Sequence, residues 1–224
     1  MNKYMVPLLA IGGFIVVVFM LTLVINNSGP PSTDTNDLNK IDENIIMGND
    51  DLNMSNDKNT SNIVIIETSK GNIEVELNPT ASPITVKNFK TYVSAGFYDG
   101  TVYHRVIPDF MIQGGGFLPN GNQKEVMPPI KIESNNGLSN LTGTIAMART
   151  NDPNSATSQF FINTKDNLFL NYVNSDNPGY TVFGKVISGM DVVKAIEGVP
   201  TTTKFGSYQN WPVDNVVITR IYFK

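Results

Sequence analysis

Two polar side chains, Arg105 and Gln113, lie among apolar residues at a spacing that suits joint chemistry. A guanidinium stays protonated and presents its donors in a rigid fork, whereas an amide both accepts and donates hydrogen bonds. Together they could bind and orient a polar group of a substrate without a nucleophile and without proton transfer. Such chemistry depends on positioning, so the elements around both residues decide whether it can occur.

The composition excludes several kinds of catalysis. The chain has one histidine, His104, and no cysteine, so thiolate chemistry and disulfides are excluded and no second histidine could share a metal ion. The glycines at 114–116 are not followed by the Gly-Lys-Ser/Thr of a phosphate loop, and we interpret them as a sharp turn. We therefore predict an activity that uses neither a metal nor a cofactor.

Alternating side chains around the arginine predict a β-strand over residues 102–107. Successive side chains of a strand point to opposite faces, so we expect Arg105 on the face of Tyr103 and His104 on the other, as a buried histidine. Pro108 interrupts the strand because it has no N–H to donate, and residues 110–113 resume an extended run. This return brings Gln113 beside Arg105.

Short β-rich runs and two helical patterns indicate the rest of the fold. Further strands are predicted at residues 63–67, 72–77, 144–149, 158–163, 181–186 and 213–222. Ser82 and Pro83 form an N-cap and first-turn pair for a helix that ends at Gly96, and a second helix covers residues 190–196. Many short strands without βαβ alternation favour an antiparallel barrel or sandwich.

The N-terminal part of the chain has a different composition. Residues 5–25 are apolar and uncharged, which is long enough to cross a bilayer core of about 30 Å as a helix. A cleavable signal peptide is the alternative, but no Ala-x-Ala-like site follows. We therefore predict that residues 1–25 are a transmembrane anchor in contact with lipid, residues 26–61 a disordered acidic linker and residues 62–224 an extracytoplasmic globular domain.

The charge distribution indicates no nucleic-acid partner. From residue 63 onward the chain has 13 basic and 13 acidic side chains, and the excess of acid lies in the linker. A nucleic-acid-binding domain would instead concentrate lysine and arginine on one face.

Two runs of the chain resemble the cyclophilin family of peptidyl-prolyl cis-trans isomerases. The first is Tyr-His-Arg-Val-Ile-Pro-Asp-Phe-Met-Ile-Gln-Gly-Gly at 103–115, and the second is Ser-Gln-Phe-Phe-Ile-Asn at 158–163. The resemblance extends from about residue 62 to the C-terminus. It implies a closed eight-stranded antiparallel β-barrel capped by two α-helices, with proline-containing polypeptides as substrates.

The resemblance also implies site residues. Arg105 matches the catalytic arginine. Further positions are expected to bind substrate: Phe110, Met111, Gln113, Ala148, Arg149, Thr150, Gln159, Phe161, Phe169, Leu170 and Tyr180. Phe169 and Tyr180 stand where many members have a tryptophan and a histidine. Because Phe169 lacks an indole donor, we expect the family ligand cyclosporin to bind weakly.

The predicted function is peptidyl-prolyl isomerisation that assists protein folding outside the cytoplasmic membrane. Resonance gives peptide-bond rotation a barrier of about 18–20 kcal/mol, and the twisted transition state frees the prolyl nitrogen to accept a hydrogen bond from Arg105. Phe110, Met111 and Phe161 would keep water away. The alternative is a noncatalytic module that binds proline peptides, or a chaperone, with the same groove and no turnover.

Overall fold

Ten strands and two α-helices make up the part of the chain that the structure, a computed structural model, describes, which is residues 61–224. The strands are β1 Ile63–Thr68, β2 Gly71–Leu77, β3 Thr101–Ile107, β4 Met111–Phe117, β5 Thr144–Met147, β6 Phe160–Asn163, β7 Val182–Ser188, β8 Thr201–Lys204, β9 Tyr208–Pro212 and β10 Val217–Phe223. The helices are α1 Pro83–Ser94 and α2 Met190–Glu197, and a 3-10 turn covers Leu168–Leu170.

The predicted anchor, residues 5–25, and the linker up to residue 60 lie outside the described residues. Within residues 61–224, neither helix has the length and apolar character needed to span a bilayer.

Eight strands close into a barrel in the order β1-β10-β3-β4-β6-β5-β7-β2, and every neighbouring pair is antiparallel. The predicted eight-stranded barrel is thereby confirmed. Closure leaves no free edge in this sheet. The first and last strands pair with each other, and the Lys224 N–H donates to the Ile63 carbonyl at 2.9 Å.

The barrel interior is filled by aliphatic and aromatic side chains that both helices help to bury. Phe89 of α1 is fully buried, and its ring centroid lies 5.2 Å from that of Tyr98, 5.7 Å from that of Phe160 and 5.2 Å from that of Phe183. Helix α2 contributes Val193 and Ile196 to the same core. Large aromatic side chains at such centroid distances stabilise a core beyond their buried area.

The start of α1 differs from the prediction in its cap. Ser82 precedes the helix as expected, but its hydroxyl donates to the Val182 carbonyl at 2.8 Å. The Glu133 carboxylate instead accepts hydrogen bonds from the amides of Ile84, at 3.0 Å, and Thr85, at 2.8 Å. A negative charge there also complements the helix dipole. The cap comes from a distant loop, and therefore no local pattern indicates it.

The glycines at 114–116 do not form the predicted turn. Strand β4 continues through them to Phe117, so this prediction is wrong. Gly115 has φ +82°, and a Cβ there would lie 2.9 Å from the Phe160 ring and 3.0 Å from the Tyr98 ring. The glycine is needed because core rings pack directly against the backbone, at a φ that other residues rarely adopt.

The predicted strand 213–222 begins too early. Strand β10 begins at Val217, residues 213–216 are irregular, and before them lies the hairpin β8–β9, which was not predicted. Trp211 fixes this hairpin to the barrel: it is fully buried, its ring lies 5.9 Å from that of Phe117, and its indole donates to Asn215 Oδ1 at 2.8 Å.

Candidate active site

A register shift in β3 decides where Arg105 points. Tyr103 pairs with Gly114 and Arg105 pairs with Gln113, so β3 advances by two residues while β4 advances by one. This is the count of a β-bulge, which interrupts the alternation of side chains. Tyr103 lies in the interior core, whereas His104 and Arg105 line the same cavity on the outside. The prediction that Arg105 shares a face with Tyr103, opposite His104, is therefore wrong.

Three predicted site residues form a row across neighbouring strands, and Ala146 continues this row onto a fourth strand. Arg105 of β3 lies opposite Gln113 of β4, which lies opposite Phe161 of β6, which lies opposite Ala146 of β5. Arg105 Nη1 donates to Gln113 Oε1 at 3.4 Å, and Gln113 Nε2 donates to Gln159 Oε1 at 3.0 Å. The amide oxygen of Gln113 thus faces the guanidinium, and its amide nitrogen is held by Gln159.

Beside this row is a cavity of about 110 Å³, here called the proline cavity. Its walls are nine residues that the sequence analysis selected: Arg105, Phe110, Met111, Gln113, Ala148, Arg149, Phe161, Leu170 and Tyr180. A water molecule takes up roughly 30 Å³ in the liquid, so the cavity has the space of a few water molecules. This space suits one small ring.

Six of the nine wall residues have apolar or aromatic side chains, and three of these, Met111, Phe161 and Leu170, are buried. Met111 and Phe161 are 2% and 4% exposed, and the Phe161 and Tyr180 rings meet edge to face at 5.7 Å. The Arg105 guanidinium lies 5.9 Å from the centroid of the Phe110 ring. A cation beside an apolar, largely desolvated wall forms stronger hydrogen bonds than one in water.

Three predicted residues lie outside the proline cavity. Gln159 holds Gln113, as described above. Phe169 is 69% exposed and stacks on Phe110 at 5.7 Å, so it lies at the rim. The Thr150 hydroxyl donates to the Ser155 hydroxyl at 2.8 Å within the loop after β5.

Buried asparagines that the sequence analysis did not select hold two walls of the cavity. Asn167 Nδ2 donates to the Phe110 carbonyl at 2.7 Å and to Asn163 Oδ1 at 2.8 Å. Asn163 Nδ2 donates to Asn140 Oδ1 at 3.2 Å, and Asn140 Nδ2 donates to the Leu170 carbonyl at 3.2 Å. This chain of amides, here called the asparagine network, connects the backbones of Phe110 and Leu170.

No sequence signal separates these asparagines from surface ones. Asn140 even begins an Asn-x-Thr triplet, the acceptor pattern for N-glycosylation. Its side chain is fully buried, so the folded domain does not present it to a modifying enzyme.

A second cavity of about 390 Å³, here called the hairpin cavity, adjoins the site on the side of β8–β9. It shares Arg105 with the proline cavity, and its other walls are His104, Phe117, Gln159, Ser207, Tyr208, Gln209 and Asn210. The run Phe205-Gly206-Ser207-Tyr208 after three threonines was the available hairpin signal, and the sequence analysis did not use it.

His104 lies at the base of the hairpin cavity as a neutral imidazole. Burial lowers the pKa of His104 from 6.5 to about 4, the charge of Arg105 acts in the same direction, and a hydrogen bond with the Val102 backbone opposes both. His104 is 6% exposed, and its Nδ1 atom has no hydrogen-bond partner among the described residues. Its protonation therefore destabilises the fold.

We expect the free energy of unfolding to fall by about 2 kcal/mol between pH 7.5 and pH 5 because of His104 alone. The unfolded chain binds a proton below pH 6.5 and the folded one only near pH 4, so this stability is present above pH 6.5 and lost as the pH falls. Urea unfolding at both pH values measures it, with His104→Gln as the control that lacks the titration. Equal pH dependence in both proteins would contradict the assignment.

Known proteins resemble the chain over this same region. The model of the family "Cyclophilin type peptidyl-prolyl cis-trans isomerase/CLD" matches residues 63–223. A peptidyl-prolyl cis-trans isomerase of Acinetobacter baylyi is 56% identical over 162 residues, which are 72% of this chain and 85% of that protein. Peptidyl-prolyl cis-trans isomerase B of Escherichia coli is 49% identical over 161 residues, which are 71% of this chain and 98% of that protein.

A solved structure supports the same relation. The crystal structure of a cyclophilin-type peptidyl-prolyl cis-trans isomerase of Cryptosporidium parvum, in the presence of the dipeptide Ala-Pro, has a TM-score of 0.58 and 28% sequence identity. The match covers 72% of this chain and 98% of that chain.

Proposed function

The chain belongs to the cyclophilin-type peptidyl-prolyl cis-trans isomerase family, and on that premise we propose how its site performs the isomerisation. The protein is an enzyme that accelerates rotation about X-Pro bonds of polypeptides. The observation that supports this mechanism best is the position of Arg105 on the wall of a cavity of one ring's size that also contains the buried side chains of Met111 and Phe161.

Arg105 acts through a hydrogen bond that exists only when the X-Pro bond is twisted. In the planar peptide the nitrogen lone pair is delocalised into the carbonyl, so nitrogen accepts no hydrogen bond. Twisting removes the delocalisation, and the guanidinium can then donate to the prolyl nitrogen. A group that binds the transition state but not the ground state lowers the barrier.

The other walls of the proline cavity make that hydrogen bond strong enough to matter. A charge-assisted hydrogen bond contributes about 1.5–3 kcal/mol net, or roughly one to two powers of ten in rate. The proline ring, packed against Met111 and Phe161, excludes water that would otherwise compete for the guanidinium. Gln113 holds the fork of Arg105 through its amide oxygen at 3.4 Å.

The test is the cis-to-trans exchange rate of a short Ala-Pro peptide, followed by exchange NMR with the full-length chain. Faster exchange in the presence of the protein, blocked by an excess of a second proline peptide, is the expected result. Peptide binding without faster exchange would contradict catalysis and would support a noncatalytic binding module or chaperone instead.

The domain works outside the cytoplasmic membrane, held there by an N-terminal anchor, and assists the folding of polypeptides in that compartment. The apolar, uncharged residues 5–25 and the polar residues 26–61 support this. Protease added to intact spheroplasts should degrade the domain. Protection until the cells are lysed would contradict the placement.

Cyclosporin binds weakly to this site because the rim residue Phe169 has no N–H to donate. Phe169 is exposed and stacks on Phe110, so a larger ring there would not disturb the core. Phe169→Trp supplies an indole donor, and we expect it to raise the cyclosporin affinity about threefold to tenfold. Isothermal titration of both proteins measures the change, with Phe169→Leu as the control that adds no donor, and an unchanged affinity in Phe169→Trp would contradict the explanation.

A further inference from the structure

Two guanidinium groups lie on either side of the proline cavity. Arg105 forms the wall between the proline cavity and the hairpin cavity. Arg149 forms the wall between the proline cavity and a third, smaller cavity that Lys131 also lines. Both guanidiniums line the proline cavity itself, so the residues directly before and after a bound proline, each only about 3.3 Å further along the peptide, lie within reach of them.

The walls of these three cavities contain basic residues and no acidic ones. Arg105, Lys131 and Arg149 are the charged residues among all the side chains that line them, within residues 61–224. His104 is neutral at pH 7 for the reason given above. From residue 63 onward the chain has equal numbers of acidic and basic side chains, so the excess of positive charge is local to the groove.

Arg149 is held rigidly, but only by neutral groups. Its Nε atom donates to the Gly179 carbonyl at 2.9 Å, and its Nη1 atom donates to the Thr150 carbonyl at 2.8 Å. Its guanidinium lies 4.6 Å from the centroid of the Tyr180 ring. Among the described residues no carboxylate pairs with it. The structure thus positions a cation at the groove without neutralising its charge.

We infer that the enzyme favours proline-containing segments in which an acidic residue flanks the proline, and that Arg149 is the residue that determines this specificity. The inference rests on the proposed function, because it concerns the same substrate groove. A carboxylate of the substrate would find a fixed donor fork and no acidic residue on the cavity walls, whereas a lysine would meet the like charges of Arg105 and Arg149. Complementary charge of this kind sets specificity more than maximal affinity.

The test compares peptides that differ in one residue beside the proline. Glu, Gln and Lys are placed directly before the proline in one series and directly after it in a second, and kcat/KM is measured with the full-length chain. We expect kcat/KM for Glu to exceed that for Lys by about twofold to fivefold in at least one series, as a partly exposed charge pair allows. The ratio should decrease in 0.5 M NaCl because salt screens such pairs.

Three variants separate charge recognition from structural support. Arg149→Gln should bring the Glu/Lys ratio towards one, and Arg149→Lys should preserve most of it because the charge remains. Lys70→Gln is the matched control: Lys70 is exposed in the β1–β2 turn and lines none of the three cavities, so the ratio should not change.

Two outcomes would overturn the inference. One is an equal kcat/KM for the Glu, Gln and Lys peptides in both series. The other is an Arg149→Gln variant that loses activity on all peptides by one factor and keeps the ratio, since Arg149 would then only support Tyr180. If even the Gln peptides show no accelerated exchange, the proposed function fails, and this result is distinguishable from both.

Discussion

Replacing Arg105 by alanine should lower kcat/KM for an Ala-Pro peptide about 100-fold, with little change in KM. The reason is that the guanidinium donates to the prolyl nitrogen only in the twisted state, so its loss removes transition-state binding alone. The factor corresponds to the upper range for one charge-assisted hydrogen bond, which the apolar wall of the proline cavity favours. Exchange NMR at several peptide concentrations measures both constants.

Two further variants test whether the effect belongs to the arginine fork. Arg105→Lys keeps the charge but replaces the rigid planar fork by a flexible ammonium that is not held in one geometry against Gln113, so an intermediate loss is expected. Arg220→Ala is the control, because Arg220 is exposed on β10 and bonds Glu67 at 2.8 Å, away from the cavities. Its kcat/KM should stay within about twofold of the wild type. A loss below about threefold in Arg105→Ala would contradict the mechanism.

Replacing Asn163 by leucine should lower the free energy of unfolding by about 4 kcal/mol, although the two side chains are similar in size. Asn163 is fully buried and bonds Asn140, Asn167 and, at 2.9 Å, the Thr144 hydroxyl. Leucine removes all three hydrogen bonds, each worth about 1 kcal/mol, and leaves the buried Asn140 Oδ1 without a partner, which costs about 1–3 kcal/mol more. Asn167 and Thr144 keep their hydrogen bonds to the Phe110 and Leu141 carbonyls. Urea unfolding at pH 7.5 measures the change.

The same substitution should also weaken peptide binding, because the asparagine network holds the backbone of Phe110. A matched control is Asn120→Leu: Asn120 is exposed and its Oδ1 accepts one hydrogen bond, from the Asn122 amide at 3.0 Å. Its cost should stay below about 1 kcal/mol. Equal stability losses in the two variants would show that the network contributes nothing specific.

The resemblance to the cyclophilin family predicts the barrel and the membership of the proline cavity well, whereas the alternation of residues alone left a barrel and a sandwich open. The alternation of apolar and polar residues indicates the strands, and two compact motifs contain Arg105, Gln113 and Phe161. These three residues then meet in one cross-strand row because antiparallel pairing aligns residues that the motifs already specify. The site residues within β3, β4 and β6 were therefore accessible to sequence reasoning.

The features that the sequence did not predict depend on residues far apart in the chain or on the backbone itself. The bulge in β3 that turns Arg105 outward is a property of its pairing with β4. Gly115 looked like a turn residue because the rings that require it, Tyr98 and Phe160, come from other elements. Glu133 likewise caps α1 only after folding brings distant segments of the chain together, so no local pattern predicts this cap.

The pairing of β1 with β10 has a consequence for how the domain could be connected to other polypeptides. Because the Lys224 amide bonds the Ile63 carbonyl, the two ends of the described domain are neighbours. A few added residues could join them, and the chain could then be opened at an exposed loop without breaking the barrel, a circular permutation. The fold specifies a cyclic order of strands, in which the starting point is arbitrary, so the whole domain could equally be inserted into a surface loop of a host protein.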